Sequence, residues 1–200
     1  EAMTGVVLAA GEGRRMGRPK LLLPVEGRPL LSWVVDLVER LPVDERLVVL
    51  GAEATATREA FFSSRGEGAH LPWHLVVNED WYDGMGSSLR RAAEAVAGGM
   101  LVFLGDMPWV PEAAARAVLG RAGDRPVAPA YRGRRGFPVY LPPSLRPALL
   151  QLSGDRGARD LVGDCEVIPW DDPGVVRDVD APADLPGSRL GEEVRDRGPA

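Results

Sequence analysis

Residues 6–20 read VVLAAGEGRRMGRPK, and this stretch decides how the rest of the chain is interpreted. Its first part, residues 6–10, is a short apolar run that predicts a buried strand. The run gives way to a loop, residues 11–20, that contains several glycines and basic side chains. Glycines let backbone N–H groups approach a ligand, and the basic excess favours an oligophosphate. The alternative is a flexible surface turn whose arginines are only solvated.

Two common phosphate-binding fingerprints do not fit this loop. The dinucleotide pattern G-x-G-x-x-G requires glycine where Met16 stands, and the P-loop requires glycine before its lysine, where Pro19 precedes Lys20. Both an NAD-binding protein and a Walker-type ATPase are therefore disfavoured. Lys20 is the one lysine among 24 basic residues. Because a compact ammonium follows a phosphate oxygen where a guanidinium imposes a planar fork, we predict that Lys20 binds phosphate.

Outside the loop, strand and helix patterns alternate along the chain. Such alternation implies parallel strands joined by right-handed crossovers. The expected fold class is therefore α/β, with a doubly wound, mostly parallel sheet. The patterns predict further strands at 46–50, 74–77, 100–104 and 127–130, and helices from Pro29, at 55–62, after 84–88, from Pro111 and at 143–152.

The chain of 200 residues is long enough for one compact domain. We expect this domain to cover residues 1–186. The regular alternation loosens after Tyr131, so residues 131–165 are predicted to form a small inserted subdomain. Residues 187–200 have little periodic apolar content and are predicted to be a flexible tail.

Composition excludes several classes of function. The 24 basic and 29 acidic residues give a net charge of −5, whereas nucleic-acid-binding domains are basic. No uncharged apolar run approaches the roughly 18–20 residues that cross a bilayer, and no leader pattern is recognisable at the start. The sequence has one cysteine, Cys165, which excludes an intramolecular disulfide and a cysteine-built metal site. We expect a cytoplasmic protein that binds neither nucleic acid nor membranes.

Acidic residues supply candidate metal ligands. Asp106 ends an apolar strand, at the edge where open α/β sheets bind ligands, and it is either a Mg²⁺ ligand or the cap of the next helix or turn. Asp178 and Asp180 share one face if their segment is extended. Either one is a second metal carboxylate, or both belong to a solvated acidic loop. Residues 84–88, GMGSS, form either an anion-binding nest or a simple helix N-cap with serine.

The sequence does not indicate covalent catalysis. No nucleophile stands out beside a candidate base, and Cys165 is predicted to lie in a buried strand. His70 and His74 flank a Leu-Pro-Trp segment. Because the proline denies the two histidines a shared helical face, a histidine metal pair is not expected.

Taken together, these segments resemble the MobA-like nucleotidyltransferases. Residues 8–20, LAAGEGRRMGRPK, closely resemble the family signature, and the resemblance extends over residues 5–185. Within the family, LAAG at residues 8–11 is similar to the molybdenum cofactor cytidylyltransferase branch, whereas guanylyltransferases usually have LAGG. The resemblance therefore implies CTP over GTP. The other matching segments, in family order, are Asn78, 84–88, 104–108, 136–139, 154–159 and 178–182.

The resemblance also implies a reaction, a Rossmann-like nucleotidyltransferase fold and a set of site residues. The terminal phosphate of the molybdopterin cofactor attacks the α-phosphate of CTP and releases pyrophosphate. Such a reaction depends on in-line positioning and charge neutralisation more than on a protein nucleophile. The implied catalytic residues are Lys20, Arg15 and Asp106, and the nucleotide-binding residues are Leu8, Ala9, Ala10, Gly11, Gly13, Asn78, Gly86, Ser87 and Ser88. The implied Mg²⁺ ligands are Asp106 and Asp180, and the acceptor-binding residues are Gly136, Pro138, Gly154, Asp155 and Gly157.

One position departs from the family pattern. Phe137 stands where the family commonly has histidine before proline, and a phenyl ring neither titrates nor donates a hydrogen bond. The acceptor therefore stays open: related transferases act on isoprenoid or sugar phosphates, and a guanylyltransferase or another NTP transferase is an alternative. A further alternative is a non-catalytic chaperone that binds the molybdenum cofactor and passes it to a molybdenum hydroxylase.

Overall fold

The computed structural model describes residues 2–11, 19–65, 71–153 and 156–179. Within these ranges a mixed sheet forms the centre of the molecule, and helices cover both of its faces. The strands are β1 (Met3–Ala9), β2 (Pro24–Val25), β3 (Arg28–Pro29), β4 (Glu45–Leu50), β5 (His74–Val77), β6 (Gly99–Leu104), β7 (Val127–Tyr131), β8 (Arg134–Arg135), β9 (Val139–Leu141) and β10 (Glu166–Pro169). The helices are α1 (Leu30–Glu39), α2 (Ala54–Ser64), α3 (Met85–Ala95), α4 (Glu112–Gly120), α5 (Arg146–Leu149) and α6 (Arg156–Leu161), with 3-10 turns at Lys20–Leu22, Trp81–Asp83, Pro143–Leu145 and Pro173–Val175.

The sheet is mostly parallel. Its strand order is β10-β7-β9-β6-β1-β4-β5, with β8 paired to β7, while β2 and β3 form a separate hairpin. β1 runs parallel to both β4 and β6, whereas β9 runs antiparallel to β6 and β7. The structure therefore confirms the predicted doubly wound, mostly parallel α/β class.

β1 is buried on both faces because it lies inside the sheet. Val6 and Val7 are both 0% exposed, and successive side chains along a strand point to opposite faces. Val7 and Ala9 pack with α1, whereas Val6 and Leu8 pack with α3. A parallel strand that is covered on both faces is typically a nearly continuous apolar run, which explains the apolar residues 6–10 in the sequence.

The carboxyl ends of the parallel strands form one edge of the sheet. Backbone hydrogen bonds continue past the strand ends: Gly105 N donates to Leu8 O at 2.9 Å, and Asn78 N donates to Leu50 O at 2.6 Å. Because β9 is antiparallel to β6, the residues that precede it, 136–138, come to the same edge. Segments that are far apart in the sequence therefore meet there.

The structure corrects two sequence predictions in the last part of the chain. The helix predicted at 143–152 is a 3-10 turn followed by α5, which ends at Leu149. Pro147, the fifth residue of the predicted helix, lacks the N–H that would donate to the carbonyl of Pro143. Cys165 is half-buried and precedes β10 instead of lying in a buried strand. β10 is an edge strand, and its side chains alternate between half-buried and exposed.

The segment predicted as an inserted subdomain contributes a strand to the main sheet. Residues 131–165 include β9, which lies between β6 and β7 in the main sheet. The predicted tail, 187–200, lies outside the described residues. In the described part of the chain, no helix has the length and apolar character that a membrane crossing requires.

Gly5→Ala is expected to destabilise the packing of β1 on α1. A Cβ atom on Gly5 would lie 2.7 Å from Cγ1 of Val38 and 3.4 Å from Cγ2 of Val43, and both valines are buried. Overpacking of this kind lowers the free energy of unfolding by about 1–3 kcal/mol, which urea unfolding would measure. Gly120→Ala is the control, because an added Cβ there meets no atom within 4 Å. Equal losses in the two variants would contradict the packing argument.

Candidate functional site

A cavity of about 330 Å³ opens at the carboxyl edge of the sheet, where α/β sheets bind their ligands. We call it the strand-end cavity. Its walls come from the end of β1, the turn that begins at Lys20, and the first turns of α2 and α3. The lining residues are Leu8, Ala9, Ala10, Gly11, Pro19, Lys20, Leu21, Ala52, Thr57, Trp81, Gly84, Met85, Ser88, Leu104 and Asp106.

An ion pair lies in the wall of the strand-end cavity. Lys20 Nζ donates a hydrogen bond to Asp106 Oδ2 at 3.0 Å, and the two side chains are 16% and 22% exposed. Asp106 sits in a turn that Met107 N closes on Leu104 O at 3.2 Å. It does not cap the next helix, because Pro111 is the N-cap of α4. The two residues that the sequence assigned to phosphate and to metal are therefore in direct contact.

The end of β1 contributes small side chains to the cavity. Ala9 and Ala10 are 2% and 5% exposed, and their methyl groups pack on opposite faces of the sheet. Ala52 N donates to Ala10 O at 3.4 Å, which ties the segment after β4 to the end of β1. Gly11 is exposed, and an added Cβ there would meet no atom within 4 Å. Small residues thus keep this side of the cavity open.

Asn78 holds the start of α3 in place. Its Nδ2 donates to Ser87 Oγ at 2.8 Å and to Ser88 Oγ at 3.0 Å, and its Oδ1 accepts from Asp80 N at 3.0 Å. Ser87 Oγ in turn donates to Gly84 O at 2.7 Å. Asn78 is 3% exposed and is not part of the cavity lining. Its geometry is therefore that of a positioning residue.

Only some of the residues in the segment 84–88 line the strand-end cavity. Gly84 is the N-cap of α3 at a φ of 97°, a conformation that favours glycine, and no side chain caps the helix. The segment therefore does contain the helix N-cap, but the capping residue is Gly84 and not a serine. Ser88 lines the strand-end cavity, whereas Gly86 and Ser87 are buried outside its lining.

A second cavity, of about 520 Å³, adjoins the first, and Met85 lines both. We call it the arginine cavity, because Arg135 and Arg159 are the charged residues of a mostly apolar lining. Gly136 and Phe137 contribute to it from the loop before β9. The remaining lining residues are Leu89, Val102, Ala128, Val139, Leu141, Leu161, Val162 and Cys165.

Backbone contacts fix the loop before β9. Gly136 N donates to Pro129 O, and Phe137 N donates to Val175 O, both at 2.8 Å. A Cβ on Gly136 would lie 1.9 Å from Val175 O, so this close approach requires glycine. The peptide bond between Phe137 and Pro138 is cis. Of the two residues predicted here to bind an acceptor, Gly136 lines the arginine cavity and Pro138 does not.

Cys165 lines the arginine cavity in its neutral form. Burial raises the pKa of the thiol above its usual value, and the nearby Arg135 guanidinium offsets this shift only in part. The thiol is therefore protonated at neutral pH, and a protonated thiol is a poor nucleophile.

The segment around residue 178 is anchored beside Asp106. Val179 N donates to Asp106 O at 2.9 Å, and the Val179 side chain is 0% exposed and packs with Val25 and Leu30. Asp178 precedes this anchor and is exposed. Among the described residues, no group of three or more histidine, cysteine or acidic side chains is arranged to hold a metal ion.

Several of the predicted site residues lie outside the described residues: Gly13, Arg15, Gly154, Asp155 and Asp180. Gly157 lies in α6. Sequence reasoning missed Thr57 and Trp81 in the strand-end cavity and Arg135 in the arginine cavity. Arg135 belongs to an RGRR run at residues 132–135 that could have drawn attention, whereas no local pattern distinguishes Thr57 from a solvated helix residue.

This chain is similar to several known proteins. A family model described as MobA-like NTP transferase domain matches residues 5–168. Nicotine blue oxidoreductase of Paenarthrobacter nicotinovorans is 38% identical over 170 residues, which cover 78% of this chain and 79% of that protein. Purine catabolism protein PucB of Bacillus subtilis is 30% identical over 194 residues, which cover 90% of this chain and 92% of that protein.

Solved structures agree with these relatives. The crystal structure of Rv0371c from Mycobacterium tuberculosis H37Rv has a TM-score of 0.75 at 30% identity, over 90% of this chain and 93% of that chain. A structure of Rv0371c in complex with manganese has a TM-score of 0.69 at 30% identity, over 86% of this chain and 89% of that chain. The likeness thus covers most of the chain, including the sheet.

Asn78→Asp is expected to loosen the start of α3. A carboxylate keeps the acceptor for Asp80 N but loses both donors to Ser87 and Ser88, and it adds a buried charge. An unpaired buried hydrogen-bonding group costs about 1–3 kcal/mol. The free energy of unfolding, measured by thermal unfolding, should therefore fall by at least that amount. Glu79→Gln, at the exposed neighbouring position, is the control. Unchanged stability in Asn78→Asp would contradict the positioning role.

Proposed function

Because this chain belongs to the MobA-like NTP transferase family, we propose that it transfers CMP from CTP to the terminal phosphate of a molybdopterin-type cofactor. A bond forms between an acceptor phosphate oxygen and the α-phosphorus of CTP, the bond between the α- and β-phosphates breaks, and pyrophosphate leaves. The observation that carries the proposal is the strand-end cavity, which combines the LAAG segment at residues 8–11 with Lys20 and Asp106.

The triphosphate is assigned to the charged wall of the strand-end cavity. Lys20 and Asp106 neutralise each other in this structure. A metal–nucleotide complex offers each of them a new counter-charge, because phosphate attracts the ammonium and the metal attracts the carboxylate. Gly13 and Arg15, in the loop after β1, are proposed to complete the triphosphate site.

The residues present fit a divalent cation that arrives with the nucleotide. Mg²⁺ is usually held by one or two carboxylates together with phosphate oxygens and water, and Asp106 supplies one carboxylate in the cavity wall. The hydrogen bond from Val179 to Asp106 supports Asp180, the next residue in sequence, as the second. When bound, the cation would neutralise charge on the phosphates. The manganese complex of a relative at 30% identity supports a divalent cation.

The nucleoside is assigned to the end of β1 and the start of α3. Small side chains leave space at the end of β1, and Ser88 offers a hydroxyl at the start of α3. The buried network around Asn78 gives this hydroxyl a fixed position. We propose that Leu8, Ala9, Ala10, Gly11 and Ser88 contact the nucleoside and that Asn78, Gly86 and Ser87 support them.

The arginine cavity is proposed to bind the acceptor. It adjoins the strand-end cavity at Met85, so an acceptor phosphate there can approach the nucleotide. Its apolar walls suit the ring system of a pterin, and guanidinium groups suit a phosphate. Phe137, where the family commonly has histidine, offers an aromatic surface instead of a hydrogen bond. The residues proposed to bind the acceptor are Gly136, Pro138, Gly154, Asp155 and Gly157.

One assay tests the reaction and its alternatives. The protein is incubated with each of the four NTPs, Mg²⁺ or Mn²⁺, and purified molybdopterin cofactor, and both pyrophosphate and the nucleotide adduct are measured. We expect both products with CTP. Preference for GTP would make the protein a guanylyltransferase. Cofactor binding without pyrophosphate release would favour a chaperone that passes the cofactor to a molybdenum hydroxylase.

A second candidate function is suggested by the 38% identity to a protein named nicotine blue oxidoreductase. The loop at residues 11–20 lacks the dinucleotide fingerprint because Met16 replaces its third glycine, which favours the transferase. Reduction of nicotine blue by a supplied electron donor, followed spectroscopically, separates the two functions. Reduction without pyrophosphate release in the transferase assay would favour the oxidoreductase.

Lys20→Arg is expected to lower kcat/KM for CTP by about 10²–10³-fold, the usual effect of losing one contact to charge that develops in the transition state. Arginine keeps the charge, but its planar fork does not fit the place of a compact ammonium. The thermal unfolding midpoint should change little. Arg40→Lys is the control, because it exchanges the same two residue types in the opposite direction, in an exposed ion pair with Glu112. Activity of Lys20→Arg within about threefold of the parent would contradict the assigned role.

Ala10→Gly is expected to narrow a preference for CTP over GTP. Guanine has two rings and cytosine one, so removal of the buried Ala10 methyl makes room for the larger base. We expect the parent to favour CTP by about tenfold or more, since such differences in fit are worth about 1–3 kcal/mol. Ala122→Gly, at an exposed position that lines neither cavity, is the control for a general effect of an added glycine. Competition between CTP and GTP measures the ratio, and a parent that prefers GTP would overturn the cytidylyl assignment.

A further inference from the structure

Thr57 is a buried polar residue in the wall of the strand-end cavity. It lies near the start of α2, directly after β4, and is 2% exposed. Its backbone N–H donates to Glu53 O at 2.9 Å, as expected inside a helix. Within the part of the chain that the structure describes, its hydroxyl makes no hydrogen bond.

Packing alone does not explain this hydroxyl. Phe61, one turn further along the same face of α2, is 2% exposed and packs against Trp73. Valine has nearly the shape of threonine and would fill position 57 without a polar atom. Most polar side chains of buried residues have a hydrogen-bond partner, and Thr57 lines the strand-end cavity. A threonine at this position is therefore explained if its hydroxyl bonds a ligand in the cavity.

Thr57 lies on the side of the cavity away from the ion pair. In the sheet, β1 separates β6, which leads to Asp106, from β4, which leads to α2. The lining on the β4 side includes Ala52, Thr57 and Trp81, none of which is charged. An oligophosphate held by Lys20 therefore leaves this uncharged side for the base, and Trp81 offers it an aromatic surface.

We propose that the Thr57 hydroxyl hydrogen-bonds the polar edge of the nucleobase, which is cytosine in the proposed reaction. The inference rests on the proposed function, since it requires a nucleotide in the strand-end cavity. A hydroxyl both donates and accepts, so it matches a ring nitrogen or carbonyl oxygen as well as the exocyclic amino group of cytosine. Thr57 is thus a binding residue that sets affinity for the base.

Nucleotide binding to the full chain, measured calorimetrically in Mg²⁺ and without an acceptor, tests this assignment. Thr57→Val should raise the Kd for CTP by about 10- to 100-fold, because one hydrogen bond is lost and a polar group of the base is left unpaired. Thr57→Ser should stay within about threefold of the parent, since it keeps the hydroxyl. Thr55→Val, at an exposed position of the same helix, is the matched control and should leave the Kd unchanged.

Inorganic tripolyphosphate, which has no base, separates a base contact from a general effect. It should compete for the strand-end cavity equally well in the parent and in Thr57→Val. Equal weakening of tripolyphosphate and CTP would overturn the inference, and so would an unchanged Kd for CTP. Thr57→Ala provides the same measurements if Thr57→Val is less stable than the parent.

The parent protein distinguishes failure of the inference from failure of the proposed function. A parent that binds no nucleotide overturns both. A parent that binds GTP in preference to CTP, with the same loss in Thr57→Val, supports the base contact while overturning the cytidylyl assignment. A parent that binds CTP with no loss in Thr57→Val overturns the role of Thr57 alone.

Discussion

The pairing of β1 with β4 on one side and with β6 on the other is the constraint on which the site depends. Leu8 lies opposite Leu104, and Ala9 lies opposite Leu50, so the three strands end at one level. The segments after these strands therefore reach the same cavity. A register shift of one residue would turn every side chain of the shifted strand to the other face, and a shift in β6 would also move Asp106 away from the end of β1.

The ion pair between Lys20 and Asp106 determines which ligands suit the strand-end cavity. The two residues are 86 positions apart in the sequence, yet each reduces the cost of partly burying the charge of the other. A ligand that carries charges of both signs can replace the partner of each side chain, so that both keep a counter-charge. A triphosphate with its metal ion meets this condition, whereas a free metal ion or a free triphosphate leaves one of the two side chains without its counter-charge.

The sequence predicted those parts of the molecule that local patterns control. Strands predicted at 46–50 and 100–104 agree with β4 and β6 to within one residue, because strands covered on both faces are continuous apolar runs. The strand predicted at 74–77 agrees with β5, an edge strand whose residues are half-buried or exposed. β9 has only three residues, and its antiparallel direction is set by pairing with β6. No local sequence pattern predicts this pairing. The same holds for the site: the LAAG motif marked the end of β1, but the burial of Thr57 depends on how α2 packs.

Because of the antiparallel direction of β9, the two cavities are lined mostly by different parts of the sequence. Because this direction returns residues 136–138 to the strand ends, most of the arginine cavity is encoded after residue 127, whereas most of the strand-end cavity is encoded before residue 89. Mutations in the later part of a duplicated gene can therefore change the lining of the arginine cavity while leaving most of the strand-end cavity lining unchanged. Met85, at the boundary, has a flexible side chain that adapts to differently shaped neighbours. Divergence of the arginine cavity beside an inherited strand-end cavity is the outcome that this architecture favours.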